Sequence, residues 1–124
     1  MNRADHIAPF RGLRVVDFTH VLAGPACAYY LGLMGADVIK VESVGRGDAM
    51  RHRGGTDRDA ARDAMSTAYL TQGAGKKSLA LDLGQPEGLE VMHRLLATAD
   101  VLVENHRPGT LTELGLGQDL LAEK

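Results

Sequence analysis

Four short runs rich in aliphatic and β-branched residues, separated by helix-like segments, constrain this chain more than any other feature. They are LRVVDF (13–18), DVIKVE (37–42), KKSLALDL (76–83) and DVLVEN (100–105). The first has the pattern of a strand buried on both faces, and the third alternates as a strand does. Between the first two lies PACAYYLGLMG (25–35), which opens on Pro25, suited to the first helical position, and closes at Gly35, suited to a helix stop. It is apolar around most of its circumference and predicts a buried helix. Gly32 inside it costs about 1 kcal/mol against Ala and points to close packing. Strand, crossover helix and strand make a βαβ unit, which implies a parallel pair.

The second half repeats the alternation. PEGLEVMHRLLATA (86–99) is the clearest helix: Pro86 and Glu87 suit its first turn, and Leu89, Met92, Leu95, Leu96 and Ala99 form one apolar stripe. RPGTLTELGLG then reads as a turn and a short helix, and QDLLAEK as the opening of another. Residues 43–66 break the pattern with five Arg, four Asp and four Gly and no sustained apolar period. They read as a charged, mobile or functional loop whose acids nearly balance its bases. TAYLTQ (67–72) fits neither a strand nor a helix clearly. The expectation is an α/β domain of 124 residues with a mostly parallel sheet and helices on both faces.

Composition narrows the partners. The formal charge of −2 and the absence of Trp argue against nucleic acid. No apolar stretch reaches the roughly 18 residues of a membrane span, and MNRADHIAPF lacks the apolar centre of a secretory signal. One cysteine, Cys27, fits a reducing cytoplasm, and its place on the apolar helix reads as a packed small hydrophobe. His52, His93 and His106 lack metal-ligand spacing, and His93 falls on the solvent face of its helix, so no metal is expected.

Open parallel sheets bind ligands outside the carboxyl ends of their strands. Those ends should lie near Thr19–Gly24, Ser43, Leu81–Gly84 and Asn105–Arg107. DFTHVLAGPAC (17–27) carries one glycine, Gly24, where a dinucleotide fingerprint needs three; Glu42 stands where a ribose-binding acid would. A dinucleotide-binding module is therefore a weak reading, and a tight turn before a helix is the plain one. His20 is a candidate acid or base, or simply a loop histidine. Lys76 and Lys77 could meet a phosphate or form a solvated edge. No Ser-His-Asp, paired-carboxylate or P-loop constellation is present.

Taken together, LRVVDFTHVLAGPACAYYLGLMGADVIKVE, GKKSLALDL with PEG, and ADVLVENHRPGTLTELGLG resemble the N-terminal part of class III CoA-transferases. That family includes formyl-CoA transferase and the α-methylacyl-CoA racemases, and the resemblance runs from about Phe10 to Gly117. It implies a Rossmann-like domain, with 1–124 as about the first third of a chain that forms an interlocked homodimer. It also implies CoA contacts at Leu22, Ala23, Ser43, Leu81, Asp82, Leu83, Gly84, Asn105, His106 and Arg107. The substrates would be an acyl-CoA and a carboxylic acid, with coenzyme A as substrate rather than cofactor. The family's nucleophilic aspartate would lie beyond Lys124, so the chain alone is expected to be inactive. Oxalate-type members carry Gln where this chain has Leu22, and basic family positions read Ser43, Gly84 and Glu113 here. A racemase on the same fold and a non-catalytic fragment are the alternatives.

Overall fold

A computed structural model describes residues 8–122. Its centre is a four-stranded, wholly parallel sheet of β1 (Arg14–Phe18), β2 (Asp37–Ser43), β3 (Lys77–Leu81) and β4 (Val101–Glu104), in the order β3-β2-β1-β4. That order is the opening half of a doubly wound fold. β1 lies between β2 and β4, with Val16 opposite Ile39 on one side and Leu102 on the other.

Strand side chains alternate between the faces, so each face has its own core. Val15 and Val38 pack beneath α1 (Ala23–Leu33) with Ala28, while Val16 and Val41 pack with Met92 and Leu96 of α4 (Pro86–Leu96) and with Leu116. Helices thus cover both faces, as expected. The same alternation puts Asp17, Lys40 and Glu42 on the α1 face, where all three are buried.

Helix α1 starts at Ala23, two residues ahead of Pro25, and the described residues cover it only in part. Gly24, Pro25 and Ala28 are buried, whereas Cys27 is exposed and Tyr30 and Leu33 stand 61% and 59% exposed. The buried helix predicted from its composition is therefore half-buried, because a single sheet offers a helix only one contact surface. Two glycines set that contact: a Cβ on Gly24 would lie 2.5 Å from the Cβ of Thr19, and one on Gly32 would lie 3.3 Å from Val38 Cγ2.

The segment after β2 is more ordered than its charge pattern suggests. It forms a 3₁₀ turn (Ala49–His52), α2 (Arg58–Arg62) and α3 (Thr67–Gly73), capped by Asp48, Asp57 and Ser66 respectively. TAYLTQ is thus helical; Ser66 accepts from Tyr69 N–H at 3.1 Å and Tyr69 lies against Arg51. Short helices α5 (Thr110–Glu113) and α6 (Gln118–Ala122) close the described residues. His93, expected on a wet face, has a buried Nε2 with no hydrogen-bond partner among the described residues. No described helix is long and apolar enough to cross a membrane.

Candidate functional site

The carboxyl ends of all four strands converge on an open cleft of ≈ 640 Å³. Phe18, Thr19 and His20 line it from β1, Val41 to Val44 from β2, Leu81 to Leu83 from β3, and His106 from beyond β4. A volume of this size suits a drug-sized or nucleotide-sized ligand. Among the described residues no Lys or Arg lines it; its charge comes from Glu42, Asp48 and Asp82 and its imidazoles from His20 and His106.

The loop after β1 is held at successive residues. Thr19 donates from N–H to Asp17 Oδ1 at 3.2 Å and from its hydroxyl to the same oxygen, while Lys40 Nζ donates to Thr19 O at 2.9 Å. Asn105 takes both backbone groups of His20, accepting from N–H at 3.1 Å and donating to C=O at 2.8 Å. Val21 donates from N–H to Asp48 Oδ1 at 3.2 Å. Lys76 Nζ donates to Pro25 O and to Asp17 Oδ2, each at 2.7 Å.

These holds arise from buried charge. Lys40 lies 3.1 Å from Asp48 and 3.9 Å from Asp17, and is 1% exposed. Glu42 receives Arg51 through two guanidinium nitrogens, at 2.8 and 2.7 Å, and Asp48 N–H at 2.8 Å. Three carboxylates (Asp17, Glu42, Asp48) thus face three cations (Lys40, Arg51, Lys76), so the cluster is close to neutral. Neutrality matters because an unpaired charge at such depth costs several kcal/mol.

The protonation states follow. Burial works to raise the Glu42 pKa, but the Arg51 hydrogen bond, the Asp48 N–H and the charges of Arg51 and Lys40 outweigh it and hold it at about 2. The Glu42 hydrogen bond raises Arg51. Burial lowers Lys76 against the pull of Asp17, and burial with the Glu42 charge raises Tyr69. The Arg51 guanidinium also sits 4.0 Å above the Tyr69 ring. At the cleft, His106 packs against Phe18 and His20 with ring centroids 4.3 and 5.0 Å away, and its Nε2 is buried with no hydrogen-bond partner among the described residues. Burial and the neighbouring His20 lower its pKa, favouring the neutral ring.

The structure brings Ser43, Leu81, Asp82, Leu83 and His106 together in the cleft wall. Leu22, 59% exposed, and Ala23 stand outside that lining at the start of α1. Gly84 donates its N–H to Asp82 Oδ1, Asn105 is engaged with His20, and Arg107 is exposed beside His106. Sequence reasoning overlooked Asp48, Arg51 and Lys40, which hold the loop. The signal for one of them was present: Lys40 sits two residues before Glu42 in a strand where Val38, Ile39 and Val41 around it are apolar. Lys76 is a buried partner of Asp17 rather than a phosphate contact or a wet edge, and Lys77 pairs with Asp37 at 2.6 Å. Glu42, with both oxygens engaged, is not a free ribose acid.

Residues 10–124 match the model of CoA-transferase family III. Over 115 residues the chain is 47% identical to the succinyl-CoA--L-malate CoA-transferase beta subunit of Chloroflexus aurantiacus, covering 93% of this chain and 27% of that protein. It is 41% identical over 123 residues to the human succinyl-CoA:glutarate CoA-transferase, covering 96% and 26%. It is 43% identical over 113 residues to a formyl-CoA:oxalate CoA-transferase of Rhodopseudomonas palustris, covering 90% and 25%. Among solved structures, the Mycobacterium tuberculosis protein Rv3272 matches with a TM-score of 0.79 at 43% identity, covering 94% of this chain and 30% of the other. A CAIB/BAIF family protein from Brucella suis matches with a TM-score of 0.81 at 35% identity, again covering 94% and 30%. The chain therefore spans about a quarter of the length of the curated relatives it matches.

Proposed function

The chain belongs to CoA-transferase family III, and from that premise we propose that its protein moves coenzyme A from an acyl-CoA thioester to a free carboxylic acid. In this reading residues 1–124 supply CoA-binding loops of a Rossmann-like domain, and the active form is an interlocked homodimer of a longer polypeptide. The observation that carries the proposal is the cleft across the four strand ends, with a first loop held in place by buried charge. A preorganised loop presents itself to a ligand without first losing conformational freedom.

The chemistry is covalent. An aspartate carboxylate oxygen attacks the thioester carbonyl, the C–S bond breaks, and a mixed anhydride and CoA thiolate form. The thiolate then attacks the aspartyl carbonyl, releasing the donor's acid and leaving an aspartyl-CoA thioester. The acceptor carboxylate attacks that thioester, expelling thiolate, which takes the acceptor acyl group from the new anhydride and frees the aspartate. Asp17 and Asp48 are engaged by ammonium groups, which supports a nucleophile located outside these residues. Dicarboxylic acceptors are favoured, because the relatives named above pair succinyl-CoA with malate or glutarate and formyl-CoA with oxalate. Leu22 speaks against the oxalate pair. A cytoplasmic setting belongs to the same proposal.

Exchange of labelled CoA between succinyl-CoA and free acids, measured on the full-length protein, tests this. Exchange together with an aspartyl adduct trapped by hydroxylamine is the expected result. Deuterium uptake at the carbon next to the thioester, without exchange, would instead indicate an isomerase.

A further inference from the structure

Val21 has a backbone conformation that its residue type resists. It is β-branched, yet its φ is 72°, in the left-handed region where a branched side chain is crowded. Such a residue persists only where its surroundings hold it. The contacts of Lys40 and Asn105 fix Thr19 and His20, one step short of it. The bond that reaches Val21 itself runs from its N–H to Asp48 Oδ1, across 27 residues of sequence.

Asp48 is in turn rigidly placed. Its Oδ1 also accepts from Met50 N–H at 2.9 Å, its Oδ2 lies 3.1 Å from Lys40 Nζ, and its own N–H is bound to Glu42, which Arg51 grips. Immediately after Val21, Leu22 is turned outward and Ala23 begins α1.

We propose that Asp48 is a positioning residue for the thioester-binding loop: it locks Val21 in the left-handed conformation and so sets where Leu22 and Ala23 stand beside the cleft. This rests on the CoA-transferase reading above. The charged segment 43–66 then acts on the ligand through Asp48 and the backbone of Val21. If Asp48 served only as a counter-ion for Lys40, its loss would lower stability and leave ligand binding by the folded protein unchanged.

A double-mutant cycle on the full-length transferase separates the two. Asp48→Ala, Val21→Gly and the double variant are compared for acyl-CoA KM, kcat and Tm. Asp48→Ala is expected to raise KM about tenfold while kcat changes less than about threefold, and Val21→Gly, which keeps the N–H that Asp48 holds and accepts the same φ, to leave KM within about twofold. Val21→Gly should keep or raise Tm, since glycine accepts φ 72° freely. The double variant should recover part of the Asp48→Ala loss, a KM rise of about threefold rather than about tenfold, because glycine at this position adopts the left-handed conformation without the Asp48 bond. Val21→Asn, whose side chain tolerates the left-handed region, should retain the wild-type KM.

A double variant as impaired as Asp48→Ala alone overturns the proposal, and a wild-type KM in Val21→Pro, which removes the N–H and fixes φ at about −65°, overturns it even if Asp48→Ala fails to fold. Wild-type protein without CoA exchange would remove the transferase reading and this inference with it. Wild-type exchange with an unshifted KM in Asp48→Ala removes this inference alone.

Discussion

The side-chain amide of Asn105 clasps the backbone of His20, accepting from its N–H at 3.1 Å and donating to its C=O at 2.8 Å. It extends the β1–β4 pairing, whose last register is Phe18 with Glu104, by one residue made from a side chain. A carboxylate in its place can accept but not donate. Asn105→Asp should therefore break half of the clasp and Asn105→Ala all of it, at a cost of about 1 kcal/mol per bond. Urea unfolding of both variants checks the order; equal losses would show that the accepted bond contributes nothing.

Lys76 and Asp17 form a buried pair at 2.7 Å. Lys76→Met leaves Asp17 with Lys40 at 3.9 Å as its remaining ammonium neighbour. Removing one partner of a buried pair costs about 3–5 kcal/mol. Adding Asp17→Asn to Lys76→Met should restore part of that loss, and denaturant midpoints of the three variants test for the recovery.

Gly24 and Gly32 both lie in α1 but meet different neighbours. Gly24→Ala drives a Cβ to 2.5 Å from Thr19 Cβ, inside the loop that Asp17 and Lys40 hold. Overpacking of this kind costs about 1–3 kcal/mol. Gly32→Ala meets Val38 Cγ2 at 3.3 Å, so a small shift suffices, and the helix gains up to about 1 kcal/mol in propensity. Thermal melts should show a clear loss for Gly24→Ala and near-neutrality for Gly32→Ala.

Glu42 titrates at about 2 in the folded protein against 4.5 in the unfolded chain. Its folded pKa is lowered, so the unfolded chain binds the proton more readily, and stability falls as pH drops below about 4.5 towards 2. Wild-type Tm should decline across that window. Glu42→Gln should start lower and lose less on acidification.

His106 titrates below 6.5 because burial and His20 disfavour its charged form. Protonation therefore favours the unfolded chain, and the His106 contribution, present above pH 6.5, is lost as pH falls below it. His106→Phe keeps a ring against Phe18 and should flatten the Tm profile between pH 7 and pH 5; an unaltered slope would assign it to another group.

The fold was legible because its signals are local. Four aliphatic runs at strand length, a Pro-led helix and an amphipathic stripe over Leu89, Met92 and Leu96 place every strand and the two long helices. The strand ends gathering Ser43, Leu81 and His106 follow from parallel topology. α3 was not legible, because a seven-residue helix depends on the Ser66 cap and on Tyr69 lying against Arg51. Cys27 and His93 were misplaced because composition shows that a helix is apolar or amphipathic, while the layer above it decides what is covered.

The sequence alone determined the parallel α/β order and the family resemblance, since both rest on residue type and spacing along the chain. Only the tertiary structure decided which charges are internal. Asp17, Lys40, Asp48 and Lys76 look alike on paper to solvated residues, and their roles come from meeting at 2.7 to 3.9 Å beneath one loop. Charge interaction depends on distance and on exclusion of water, and neither is written in sequence separation.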